Sequence, residues 1–192
     1  MNYIGEKVSY QKQDGIFTLV ISPKIVRIKE TLLLTWLLAW TFCGLFFVAQ
    51  LFGPETRETK LTIGVLVAFW AYFELRVGKA YLWRKHGLER LMIKEGYLSI
   101  KNDIKGYGKA KVYDIENINR LSKIDTSSKN FFNFMNQSFW VIGGETIQFE
   151  YLGKPVAFAQ HLSDRDAKKL IGILQNELKV SRKSLKQKRD SY

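Results

Sequence analysis

Few residues of this chain are of types that make or break bonds. There are two histidines, His86 and His161, and one cysteine, Cys43. Cys43 sits in the middle of an apolar run, so no His/Cys metal site and no Cys–His nucleophile pair is visible. Gly106-Tyr107-Gly108-Lys109 lacks the spacing of a phosphate-binding loop, and its strand–turn–strand setting is wrong for one. His161, near the start of a helix, reads as a surface or capping residue. The expectation is therefore a non-enzyme, with no catalytic residue, no metal and no cofactor.

The groups left are charged or aromatic. Glu74 follows an apolar run and has two readings. It forms a structural ion pair with Arg27 or Lys29, or it lies in the path of a transported proton or ligand. Lys101, Lys105, Lys109 and Lys111 crowd one turn. They make an anionic-headgroup site or a solvated sheet edge kept soluble by lysines. Ser127 to Trp140 carries Phe131, Phe132, Phe134 and Met135 in an otherwise polar stretch, as an exposed interaction loop or as core folded under a sheet.

The elements that position these residues are organised around an apolar hairpin, Thr31 to Trp83. Leu32 to Phe52 has no charge and, as a helix, is about 31 Å long, close to the roughly 30 Å core of a bilayer. After the segment 53–60, a second apolar run starts at Leu61, and Glu74 and Arg76 end its uncharged part. Helices are expected at about 31–52 and 60–83, with Trp36, Tyr81 and Trp83 as interface anchors. Thr35, Thr41 and Gly44 are small enough to let the helices approach closely. No cleavable signal is expected, because the apolar run starts late and is too long. Lys7, Lys12, Lys24, Arg27 and Lys29 precede the hairpin, and Arg76, Lys79, Arg84, Lys85, Arg90 and Lys94 follow it. The loop between is less basic, which puts both termini in the cytoplasm. The net charge is +12, and 23 Lys/Arg against 13 Asp/Glu lie from Glu74 onward. Beside such a hairpin this favours anionic lipid over nucleic acid as a partner.

Flanking the hairpin are strand signals. Residues 1–30 read as a strand pair around Asp14-Gly15, followed by a basic juxtamembrane segment. From residue 84 to 179, short alternating runs separated by Gly turns read as an antiparallel meander. The runs are Leu91–Lys94, Tyr97–Lys101, Lys109–Ile115, Ile118–Ile124, Ser138–Ile142, Thr146–Leu152 and Pro155–Phe158. A final helix starts at the N-cap Ser163 and presents Ala167, Leu170, Ile171, Leu174 and Leu178 on one face. Residues 180–192 form a basic tail expected to be disordered.

Leu82-Trp-Arg-Lys-His-Gly-Leu-Glu-Arg-Leu-Met-Ile with Gly96-Tyr-Leu-Ser-Ile resembles the junction in uncharacterised bacterial membrane proteins that carry a pleckstrin-homology-like domain. Ile147-Gln-Phe-Glu-Tyr-Leu-Gly-Lys, Ala157-Phe, Leu162-Ser and the closing helix are similar too, so the likeness covers nearly the whole chain. The layout is more distantly similar to the photosystem I assembly factor. The resemblance implies a transmembrane hairpin plus an antiparallel β sandwich or partly closed barrel, capped by the C-terminal amphipathic helix. It implies no activity. The expectation is a multi-pass protein of the bacterial inner (plasma) membrane whose cytoplasmic domain binds a protein partner or anionic lipid. The alternatives are an assembly or accessory factor, and a transporter component or membrane enzyme using Glu74.

Overall fold

The computed structural model describes residues 1–54, 56–124 and 142–190. Phe131, Phe132, Phe134 and Met135 lie outside these, as does most of the expected strand from Ser138 to Ile142. The chain divides into two compact units. One is Ile25–Lys85, and the other joins Met1–Lys24 to most of the chain from His86 onward.

The first unit is a pair of antiparallel helices, α1 (Arg27–Leu51) and α2 (Arg57–His86). Both are long and apolar enough to cross a membrane. Their outward surfaces carry exposed Leu38, Phe42, Leu45, Phe46, Val65 and Phe69. Their seam is small and polar. Gly44 lies under the Trp70 indole, and a Cβ there would overlap the ring. The Trp70 indole N–H donates to the Trp40 carbonyl at 2.9 Å. One turn further along α2, the Thr41 hydroxyl donates to Glu74 Oε1 at 2.6 Å.

The second unit is built on antiparallel pairing. Strands β1 (Asn2–Ile4), β2 (Val8–Gln13), β3 (Ile16–Ile21), β4 (Gly87–Lys94), β5 (Tyr97–Ile104) and β6 (Ala110–Asp114) form one six-stranded sheet in sequence order. Strands β7 (Ile118–Lys123), β8 (Glu145–Tyr151) and β9 (Lys154–Gln160) form a second sheet. The two sheets do not close on each other. The closing helix, α3 (Asp164–Asp190), covers the core with Ala167, Leu170, Leu174 and Leu178, all buried, as their spacing requires. Ser163 caps it, accepting the Asp166 N–H at 3.1 Å. The chain is thus α+β, with two long apolar helices and antiparallel sheets.

Two boundaries differ from the sequence reading. Residues 1–30 are not a segment apart. β3 pairs along its length with β4, from Phe17↔Ile93 to Ile21↔Glu89, so α1 and α2 are inserted between neighbouring strands of one sheet. Local pattern cannot reveal this, because the partners are separated by the whole hairpin. The other difference is the tail, since α3 runs on to Asp190 where disorder was expected. The Arg182 guanidinium donates to the Ile115 carbonyl (Nε at 3.2 Å, Nη2 at 3.0 Å) and to that of Ile118, while Arg189 pairs with Glu116 at 2.7 Å. These bonds tie the basic turns of the helix to the 3-10 turn Ile115–Asn117.

Candidate functional site

In the second unit, the β4–β5–β6 ladder decides which side chains meet. Residues directly opposite each other in an antiparallel pair share a face. Leu91 faces Ile100, which faces Lys111; Ile93 faces Leu98, which faces Tyr113; Glu89 faces Asn102. Leu91, Ile93, Leu98 and Ile100 are buried, so this is the inner face. Lys109, Lys111 and Tyr113 follow one another at two-residue spacing on β6 and its approach. β6 pairs only with β5, and β9 only with β8, so each is a sheet edge. A cavity of about 210 Å³ is lined by Lys109, Lys111, Tyr113, Asn102, Ile100 and Glu89, with Val156 and Ala157 of β9.

Of the four lysines expected to act together, the structure brings two to this cavity, Lys109 and Lys111. Neither has a hydrogen-bond or ion-pair partner among the described residues. Lys101 opposes Ala110 and so lies on the other face. Its ammonium donates to the Gly106 carbonyl at 3.0 Å and lies 3.8 Å from Asp103, which Arg90 also holds at 3.2 Å. Lys105 is at the tip of a two-residue turn whose flanks, Ile104 and Tyr107, exchange backbone hydrogen bonds of 2.8 and 3.0 Å. Lys105 and Gly106 both have positive φ there, as such a turn demands.

Glu89 was not singled out by the sequence. It occupies the apolar parity of β4 (Gly87, Glu89, Leu91, Ile93) and is 4% exposed. Its Oε2 accepts the Ala159 N–H at 2.9 Å, with Ala159 held at φ +61°. Burial raises its carboxyl to about 7, the backbone N–H groups of Ala159 and Gln160 act the other way, and Glu145 adds a small upward push. Burial also raises the Tyr113 hydroxyl, helped by Tyr151, whose ring meets it edge-on at 5.1 Å.

In the helical unit, the expected ion pair of Glu74 with Arg27 or Lys29 is not formed among the described residues. The helix register forbids it. Glu74 is level with Thr41, which lies about 21 Å along α1 from Arg27 and about 18 Å from Lys29. Glu74 is therefore near mid-helix, where its Oε2 is buried with no hydrogen-bond partner among the described residues. Trp36 stacks on Trp40 at 5.3 Å, and the Tyr81 hydroxyl accepts from Lys85 at 2.9 Å. Trp83, also expected as an interface anchor, is buried, as are Val77 and Ala80 of the same helix.

No protein-family model matches the chain, and neither a curated protein nor a solved structure is similar to it. Among the described residues, no group of His, Cys, Asp and Glu side chains could hold a metal ion.

Proposed function

We propose that this is a non-enzymatic, multi-pass membrane protein whose helical hairpin anchors a pleckstrin-homology-like domain at the cytoplasmic surface of a bacterial inner membrane. There the domain binds anionic lipid or a protein partner. One observation carries the reading, the pairing of β3 with β4 across the inserted hairpin. A sheet cannot be split across a bilayer, so a hairpin that leaves from β3 and returns to β4 must cross an even number of times. Helices α1 and α2 supply two crossings. The inside-out surface supports the same reading. Only 11% and 6% of the most apolar stretches of α1 and α2 are buried, while Thr41, Glu74 and the Trp70 indole bond across the seam. The basic excess on both flanks points to the cytoplasmic side.

The test is a gentle-detergent purification of the full chain, with mass spectrometry of the lipids and proteins that come with it, beside impermeant labelling of single cysteines at Thr59 and Ser181 in a Cys43→Ser background. The reading expects the two labels on opposite sides of the membrane, and anionic lipid enriched over bulk. Labels on one side overturn the hairpin. A stoichiometric membrane-protein partner with no lipid enrichment moves the function to an assembly or accessory factor. Against the alternative of a transporter component or membrane enzyme using Glu74, its bond to Thr41 supports a packing role.

A further inference from the structure

The geometry points to the cavity under Lys109 and Lys111 as a site for a small tetrahedral oxyanion, the phosphate of a lipid or a free phosphate or sulfate, bound together with a proton. This rests on the function proposed above only for the lipid source of the anion. Both lysines line the cavity, and their backbone positions, two residues apart at the start of β6, are about 6.6 Å apart for extended chain, within reach of one ligand for side chains this long. Neither is used within the described residues, unlike Lys101. Asn102 and Tyr113 add neutral donors to the wall. At about 210 Å³, the cavity is below the roughly 300 Å³ at which small-molecule sites begin, so it suits a phosphate-sized group.

Glu89 lines the same cavity, and its carboxyl is held by backbone N–H groups of β9. The groups around it are Lys109, Lys111 and Tyr113 from the β6 side, Asn102 from β5, apolar Ile21 from β3 and Glu145 from β8. An ionised Glu89 repels an anion beside it, so binding draws a proton onto the carboxyl. With that carboxyl at about 7, the coupling falls between pH 6 and 8. The competing reading is that inward lysines guard a free edge against pairing with another chain. A guard needs charge but no saturable ligand.

The experiment is calorimetric titration of the full chain in neutral detergent with sulfate, whose charge is constant over this range. Binding is expected to be roughly fivefold tighter at pH 6 than at pH 8, for a bound anion that lifts the carboxyl by about one unit. Replacing Lys109 and Lys111 by Ala is expected to weaken it at least tenfold, while Lys105→Ala leaves it unchanged. Glu89→Gln, checked for folding by circular dichroism, is expected to bind equally at both pH values. In nanodiscs, weaker sulfate binding in phosphatidylglycerol than in phosphatidylcholine identifies the lipid as the source, and equal binding identifies a free anion. Absence of saturable binding, equal losses from Lys105→Ala, or pH-independent binding by the unaltered chain overturns the proposal. The detergent arm does not depend on the hairpin crossing a bilayer, so the two proposals fail separately.

Discussion

The Glu89 carboxylate, in the fourth strand of the larger sheet, accepts the backbone N–H of Ala159, in the last strand of the smaller one, at 2.9 Å. A single buried acid thus links two sheets that do not pair with each other. Burial lifts its folded value to about 7, against 4.5 for an ordinary glutamate. At pH below 4.5 the group is protonated in both folded and unfolded chains and has no effect on stability. As pH rises from 4.5 to 7 the unfolded chain ionises first, and stability falls by on the order of 3 kcal/mol, with the full loss present by pH 8. Thermal melts of the unaltered chain are expected to fall over this window. Glu89→Gln keeps an acceptor for the Ala159 N–H and is expected to flatten the profile. A Gln variant with the same slope would place the titration elsewhere.

The hairpin seam depends on one missing side chain. Gly44 lets the Trp70 indole lie on the α1 backbone and reach the Trp40 carbonyl. Gly44→Ala forces the ring out and is expected to cost about 1–3 kcal/mol from overpacking, plus the hydrogen bond. Trp70→Ala in the same chain is expected to recover part of the loss, because the added methyl then has room. Melting in detergent measures both, and additive losses would show that the two residues do not touch.

Thr41 and Glu74 are expected to be coupled by about 1 kcal/mol in a double-mutant cycle, the range seen for hydrogen bonds between membrane helices. Thr41→Val is expected to be the worse single change, since it leaves a carboxyl in the seam with neither oxygen bonded. Glu74→Leu removes the polar group and is expected to be tolerated. If Glu74→Leu left a stable protein that had lost a transport activity, the packing role would be insufficient.

Much of this architecture is legible in the residues. The apolar runs, the Asp14-Gly15 and Glu95-Gly96 turns, and the Ala167–Leu178 stripe encode their elements locally. What the sequence hides is long-range. Pairing of β3 with β4 depends on strands separated by the hairpin, and the level of Glu74 depends on where Gly44 meets Trp70. The apolar run stops at Phe73, yet the helix was expected to continue to about Trp83, and α2 does run on, as far as His86. Glu89 had a readable signal in the parity it shares with Leu91 and Ile93. The division of the lysines was readable only in part: Lys109 and Lys111 are two apart, but Lys101 is set on the opposite face by a register only the structure gives.

The last turns of α3 are held by Arg182. Its bonds to the Ile115 and Ile118 carbonyls tie the helix to the 3-10 turn, where the Ile115 carbonyl also accepts the Ile118 N–H. Arg182→Ala is expected to cost about 2 kcal/mol, the upper range for hydrogen bonds from a charged donor. Amide exchange from residue 182 onward is expected to speed up, while exchange around Leu170 and Leu174 stays slow. Lys at this position places a point charge where two carbonyls need a fork and is expected to recover only part of the protection.

Cys43 offers a test of what surrounds α1. Its side chain is exposed on the protein, about 24 Å along the helix from Arg27. If water covered this surface, an impermeant maleimide would label the thiol at once. In a bilayer the same thiol lies deep in hydrocarbon, where the charged reagent does not reach. The expected result is no labelling in intact membranes or in reconstituted vesicles, and full labelling after denaturation in detergent. A cysteine at Thr59, in the first turn of α2, is expected to label from one side without denaturation, which controls for access of the reagent. Rapid labelling of Cys43 in intact vesicles would mean that this apolar face is wet or lines an aqueous path, and the anchoring role assigned to the hairpin would fall.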